Sequence, residues 1–208
     1  MLWLSNKPKD SIDVVIDGAN VGFFEQNFKG APKHVDYEQI DWIARHFEEQ
    51  NMKPLIFLHQ RHFKSKMLPK WANAIVDRWT KQDLVYKTPY DSNDDWYWLH
   101  TALHAGPDTM VLTNDECRDH HFQMLAQRSF ARWKERHQIR FSFGSWTYTG
   151  ARKHRLVLLN YPQVYSRRIQ YVSNGFVIPQ PKNNDESNDA EHKDDPEQES
   201  YTCILRKM

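Results

Sequence analysis

The sequence predicts an α/β fold: a parallel sheet flanked by helices, with a small antiparallel β appendage on the C-terminal side. Three observations carry this. Short continuous runs of β-branched and apolar residues recur at 12–17, 54–59 and 109–113, the mark of strands buried on both faces. Between them lie segments with apolar residues at helical spacing, so strands and helices alternate. After residue 137 the pattern changes to apolar–polar alternation without a helical period, which predicts antiparallel strands.

Each element follows in order. Residues 12–17 read as a buried strand, and Asp17-Gly18-Ala19-Asn20-Val21-Gly22 as a glycine-containing turn. Ile40, Ile43 and Phe47 recur at helical spacing and predict a helix over 36–50. Residues 54–59 form the second strand. Trp71, Ile75 and Trp79, four residues apart, predict a helix over 68–80, and 84–87 a short strand. Ser92 or Asn93 caps the next helix, with Asp94 and Asp95 in its first turn, where negative charge suits the helix dipole. That helix runs to about Ala105. After the strand at 109–113, Asn114 or Asp115 is expected to cap a helix reaching about Gln127. Residues 138–146, 155–160 and 164–172 alternate as strands do, and 175–179 adds another. The resulting division is an α/β domain over 10–137, a β-rich appendage over 138–180, a disordered acidic segment over 181–200 and a C-terminal remnant over 201–208.

Composition narrows the function. No apolar run approaches the length of a membrane span. The first residues are too short and too weakly apolar for a secretory signal, and they lack the Arg and Ser content of a transit peptide. The chain begins almost directly on a core strand, as expected of a domain taken from a longer protein. Two cysteines, Cys117 and Cys203, supply neither a disulfide framework nor a complete zinc set, and a reducing compartment suits them. Cys117 reads as a packed thiol. Residues 183–199 hold eight acids and one Lys, and Arg206 and Lys207 lie beyond them, so residues 1–182 carry +6 of a net +1. A basic folded part suits a polyanionic partner.

The chemistry lies in acids placed at strand ends. Asp17 closes the first apolar run, Asp94 and Asp95 open a helix, Asp115 closes the 109–113 run, and Asp119 follows one helical turn later. In an open parallel sheet the carboxyl ends of the strands share one edge, where such folds bind ligands. Carboxylates gathered there repel one another unless a hard cation is present, which points to Mg²⁺, with Mn²⁺ as the alternative. Such a cation can activate water, neutralise a phosphate oxygen and stabilise a leaving oxygen, the three needs of phosphodiester hydrolysis. Each aspartate alone is also a good helix cap; together they argue for a metal centre. Asn20 and Asn114 are candidates to orient the carboxylates, although turn amides serve more often in turns, and Ser92 reads as a cap. Arg118, His120 and His121 fall near the metal on the expected helix. Arg128, Arg132, Lys134, Arg136 and Arg140 form a basic run around Phe130 and Trp133, either a solvated helix face or a phosphate-contacting strip. His59, Arg61 and His62 flank the same edge. Trp96 and Trp98 cannot both face the core, so one is expected to be partly exposed.

Several of these words resemble a known family. Val14-Val15-Ile16-Asp17-Gly18-Ala19-Asn20-Val21-Gly22, Ser92-Asn93-Asp94-Asp95-Trp96-Tyr97-Trp98-Leu99 and Leu112-Thr113-Asn114-Asp115-Glu116-Cys117-Arg118-Asp119-His120 resemble the metallonuclease domain of protein-only RNase P. Phe130-Ala131-Arg132-Trp133-Lys134-Glu135-Arg136-His137-Gln138 is similar to the same domain further on, and the resemblance covers about residues 10–180. It implies a PIN-like NYN fold and Mg²⁺-dependent endonucleolytic removal of the 5′ leader of precursor tRNA. By motif it makes Asp17, Asp94, Asp95 and Asp115 the catalytic metal ligands, with Asp119 and His120 close by; Asn20, Asn114 and Arg118 join these two as supporting or phosphate-contacting candidates.

Two departures accompany the resemblance. The family's pentatricopeptide-repeat region, which grips tRNA, has no counterpart here, so it is expected on a missing or separate polypeptide. The family's zinc site is incomplete: Cys203 looks like its last ligand, Val177 stands at the His position and the upstream Cys pair is absent, so this chain alone is not expected to hold zinc. The resemblance implies an intracellular protein of the nucleus, mitochondrion or plastid. Two rival readings remain at this stage: an NYN-type RNase acting on mRNA or other structured RNA, and a non-catalytic RNA-binding domain.

Overall fold

Val14-Val15-Ile16 is apolar at consecutive positions, which suits only a strand covered on both faces, and strand β1 (Val14–Asp17) is buried throughout. The computed structural model describes residues 11–117, 127–150, 152–163, 169–173, 175–179 and 201–205. Two compact units divide at Pro162 and Gln163.

In the first unit a one-turn helix α1 (Gly18–Gly22) and helix α2 (Tyr37–Glu49) follow β1. Then come β2 (Pro54–His59), α3 (Asn73–Lys81), β3 (Val85–Thr88), α4 (Asp94–Ala105) and β4 (Met110–Leu112). Helix α5 (Gln127–His137) leads into β5 (Gln138–Thr149) and β6 (Arg152–Asn160). The sheet order is β3-β2-β1-β4-β5-β6. The first four junctions are parallel and the last is antiparallel. The carboxyl ends of β1 to β4 therefore share one edge.

Side chains alternate between the faces of this sheet. Val14, Ile16, Ile56, Leu58 and Leu112 pack with Ile40, Ile43 and Phe47 of α2 and Trp79 of α3. Val15, Leu55, Phe57 and Val111 pack on the other face with Trp98, Leu99 and Ala102 of α4 and Phe130 of α5. Buried Asp41 accepts from Arg45 Nε at 2.8 Å and from Trp79 Nε1 at 2.9 Å, and pairs with Arg78, tying α2 to α3. Gly18 is required by close approach: a Cβ there would lie 2.6 Å from the Phe57 carbonyl oxygen. Its absence lets the chain turn against β2 directly after Asp17.

Several elements differ from the sequence reading. The expected turn after Asp17 is a helical turn, because the Asp17 carboxylate caps it through the Asn20 N–H at 3.0 Å. The helix expected over 68–80 starts with a 3₁₀ turn (Lys70–Ala72) behind Pro69, and Trp71 is half exposed beside His34 and Tyr37. No helix has begun by residue 117. Asn114 is held to β5 by Nδ2 donating to the Phe141 carbonyl at 2.9 Å and Oδ1 accepting from its N–H at 3.1 Å, and Cys117 has φ 50°. The rest of that expected helix, 118–126, lies outside the described residues.

The division read at residue 137 also falls differently. Val111 and Leu112 pair with Gln138 and Ile139, so β5 and β6 extend the main sheet instead of forming an appendage. The small antiparallel sheet is β7 (Gln170–Val172), β8 (Gly175–Pro179) and β9 (Tyr201–Leu205), within the second unit. The expected remnant at 201–208 thus supplies a strand, while the acidic segment at 181–200 and residues 164–168 lie outside the described residues. In this sheet Val177 and Cys203 are direct cross-strand partners. No helix among the described residues is long and apolar enough to cross a membrane.

Candidate metal centre

Strand order reverses beside β1: the chain passes from β1 to β2 and β3 on one side, then crosses to β4 on the other. Open α/β sheets form a crevice at such a switch point, outside the carboxyl ends of the two strands. Asp17 ends β1 and Thr113 follows β4 at this point.

The Asp17 side chain is almost wholly buried. Its Oδ1 accepts from the Asn20 N–H, and its Oδ2 accepts from the Thr113 hydroxyl at 2.9 Å. Thr113 Oγ1 in turn accepts from the Asp115 N–H at 3.1 Å, and Asp115 Oδ1 accepts from the Cys117 N–H at 2.9 Å. Asn20 Oδ1 accepts from the Asn114 N–H at 2.9 Å, bracing the two strand ends. The buried Gln138 amide donates to the carbonyls of Thr113 and Asp115 at 2.8 and 3.0 Å, fixing the loop that carries Asp115. Glu116 binds Lys134 at 2.8 Å and also Arg140, and these two cations hold its carboxyl at about 2.

Asp94 and Asp95 enter from the start of α4, which Asn93 caps by accepting from the Asp95 N–H at 2.9 Å. Asp95 Oδ1 accepts from the indole N–H of buried Trp98 at 3.1 Å. Asp94 accepts from the hydroxyl of Thr88, the last residue of β3.

Burial pushes the Asp17 carboxyl up to about 7, against the Asn20 and Thr113 hydrogen bonds, and the negative charges of Asp95 and Asp115 raise it further. Burial also raises Asp94, which the Thr88 hydroxyl and the charges of His59 and Arg61 oppose and the Asp95 charge reinforces. Burial, with Asp115, Asp95 and Asp17 nearby, raises the Cys117 thiol to about 12, so it is a packed neutral thiol. The charges of Asp95 and Asp115 thus act on Asp17, and that of Asp95 acts on Asp94 as well, whose carboxylate accepts from Thr88 at the end of β3.

The residues fit a hard divalent cation. Asp95 and Asp115 place negative charge near the desolvated Asp17, an arrangement that a proton or a hard cation relieves, and all three offer oxygen donors. Among the described residues no three Asp, Glu, His or Cys side chains lie close enough to form a ready metal cluster. A hard divalent cation needs no such cluster when one or two carboxylates hold it together with retained waters.

Other sequence candidates fall into place around this centre. Trp98 is core and Trp96 is partly exposed. His62 is buried, while Arg61 is exposed. Lys134 and Arg140 are engaged by Glu116, whereas Arg132 and Arg136 stand exposed on α5. Arg118, Asp119, His120 and His121, and the side chain of Arg128, lie outside the described residues. Thr88, Thr113 and Gln138 were not singled out in the sequence. The only signal for the two threonines is a hydroxyl residue ending an apolar run.

Fold and site together define an α/β domain with a carboxylate centre at its topological switch point. The chain belongs to the protein-only RNase P family, whose model matches residues 3–196. Proteinaceous RNase P 2 of Arabidopsis thaliana is 37% identical over 134 residues, which is 63% of this chain and 25% of that protein. Proteinaceous RNase P 1, chloroplastic/mitochondrial, of the same plant is 34% identical over 168 residues, 78% of this chain and 26% of that protein. The mitochondrial ribonuclease P catalytic subunit of Rattus norvegicus is 28% identical over 135 residues, 64% of this chain and 22% of its own length. The crystal structure of nuclear proteinaceous RNase P 2 from A. thaliana superposes with a TM-score of 0.67 at 31% identity, covering 99% of this chain and 39% of that one. The chain thus spans about a quarter of the length of the first two curated relatives.

Proposed function

We propose that this chain is an endoribonuclease domain that removes the 5′ leader of precursor tRNA with Mg²⁺ as cofactor, Mn²⁺ being able to replace it. The observation that supports this most directly is the action of the Asp95 and Asp115 charges on buried Asp17 at the switch point, in a chain of the protein-only RNase P family.

In this reading Asp17, Asp94, Asp95 and Asp115 hold the cation, directly or through water. The cation, when bound, supplies charge neutralisation at the phosphate and activation of water. The chain's own groups prepare that arrangement. The Asn20 N–H and the Thr113 hydroxyl fix both oxygens of Asp17. Thr113 and Gln138 set the backbone of Asp115. Thr88 orients Asp94, and Asn114 locks the β4 end onto β5. Arg118, Asp119 and His120 are assigned to phosphate contact or support by motif. Hydrolysis breaks the phosphorus–oxygen bond to the leader, leaving a 5′-phosphate on the tRNA and a 3′-hydroxyl on the leader.

Recognition of the tRNA body is assigned to a pentatricopeptide-repeat region on a separate or further segment. The compartment is nuclear or organellar, in keeping with the names of the relatives. Cleavage of precursor tRNA beside unrelated RNA hairpins of equal length tests the substrate. Selective cutting at the mature 5′ end is expected, and equal cutting of the hairpins would refute tRNA specificity.

A further inference from the structure

The carboxyl ends of β2 and β3 carry a second group of side chains, next to the aspartates and chemically unlike them. β2 and β3 pair in parallel, with His59 opposite Thr88. Thr88 bonds Asp94, so His59 stands beside the acidic edge. His59 Nδ1 accepts from the Arg61 N–H at 3.1 Å.

Arg61 is exposed, and buried His62 fixes its direction: Arg61 Nε donates to His62 Nε2 at 3.1 Å. Among the described residues Arg61 forms no ion pair, although its charge acts on Asp94. Tyr90, two residues past Thr88, is 42% exposed. Its ring meets His59 at 5.5 Å between centroids, and Lys64 Nζ lies 4.3 Å from its centre. Lys87, also exposed, lies over the Phe63 ring at 4.6 Å. Asp91, at φ 63°, turns the chain sharply between Tyr90 and the Asn93 cap of α4. The Tyr90 ring is thereby held near the start of the helix that supplies Asp94 and Asp95.

An exposed tyrosine with Lys64 at its ring, on a strand edge that also carries Arg61 and Lys87, is the composition of a site for single-stranded nucleic acid. The ring stacks on a base and the cations meet the backbone. Such stacking needs a base free of a helix. In a precursor tRNA the leader 5′ of the cut is the strand able to offer one, because the mature side enters the paired acceptor stem.

We propose that His59, Arg61, Lys64, Lys87 and Tyr90 form a subsite for the unpaired RNA strand on the leader side of the scissile phosphate. Tyr90 stacks on a base, and Arg61 and Lys64 contact phosphates. This assignment rests on the proposed function for the identity of the strand, and on the geometry alone for its single-stranded chemistry.

The test is binding of a short unstructured oligoribonucleotide, followed by fluorescence anisotropy without divalent cation and over a range of salt. Tyr90→Ala is expected to weaken binding about tenfold, while Tyr90→Phe, which keeps the ring, binds as the unaltered chain does. Lys64→Ala and Arg61→Ala are each expected to lower the slope of log affinity against log salt by about 0.7. Circular dichroism melting checks that each variant is folded. Failure of the unaltered chain to bind the oligomer, or equal binding by Tyr90→Ala, Lys64→Ala and Arg61→Ala, would overturn the subsite. Precursor tRNA cleavage is measured in parallel. A chain that binds the strand through Tyr90 yet does not process precursor tRNA keeps the subsite and loses the tRNA assignment.

Discussion

Thr113 links the two strands of the centre with one hydroxyl, donating to Asp17 and accepting from the Asp115 backbone. Thr113→Val keeps the shape but strands the part-buried Asp115 N–H, a cost of about 1–3 kcal/mol. Thermal unfolding should register that loss, and precursor tRNA cleavage should fall by at least an order of magnitude as Asp17 and Asp115 lose their common support. Activity equal to that of the unaltered chain would show that the hydroxyl does not organise the site. Asp17 gives a second expectation. Its carboxyl titrates at about 7 in the folded chain, whereas an unfolded aspartate titrates near 4. Between those values the folded state holds the extra proton. In chelator, stability should therefore fall as pH rises from about 4 to 7, by up to about 1.4 kcal/mol per pH unit, and level off above. Melting of Asp17→Asn under the same conditions should lack this slope; an identical slope would assign the titration to another group.

At the scale of elements, Gly18 shows how the β1–α1 junction sets the site. A methyl group there would press on the Phe57 carbonyl and on Ile56 Cγ2, 3.1 Å away. Gly18→Ala is expected to cost about 1–3 kcal/mol, as other overpacked positions do, with cleavage reduced further than the melting shift implies because Asp17 moves with the turn. Unchanged melting and cleavage would mean that the junction relaxes freely. The same scale separates what a sequence displays from what it conceals. Asp17, Asp94, Asp95 and Asp115 are legible because strand ends and a helix start have local signatures. Thr88, Thr113 and Gln138 are not, since a hydroxyl or amide has no periodic pattern and the partners of Thr113 and Gln138 lie across strand junctions. The helix expected from Asn114 onward looked well capped. Its first residues stay out of a helix because Asn114 satisfies the Phe141 backbone as a strand neighbour would.

For the molecule as a whole, alternation of strands and helices identified the parallel sheet, but not the sheet to which β5 and β6 belong. Apolar–polar alternation is the same for an appendage and for the edge of a mixed sheet, and only the pairing of Val111 and Leu112 with Gln138 and Ile139 decides it. The acidic edge then gathers groups from four strand ends and one helix start that are far apart in the chain. Its central claim is a divalent cation held by those acids for cutting precursor tRNA. The most direct measurement is cleavage of 5′-labelled precursor tRNA during a Mg²⁺ titration, with product ends mapped, for the unaltered chain and for Asp95→Asn and Asp115→Asn. The account predicts Mg²⁺-dependent cutting at the mature 5′ end, a 5′-phosphate on the tRNA, and loss of at least a hundredfold in rate for both folded variants, in line with removal of a group that stabilises transition-state charge. Cleavage without divalent cation, or undiminished cleavage by both variants, would contradict it.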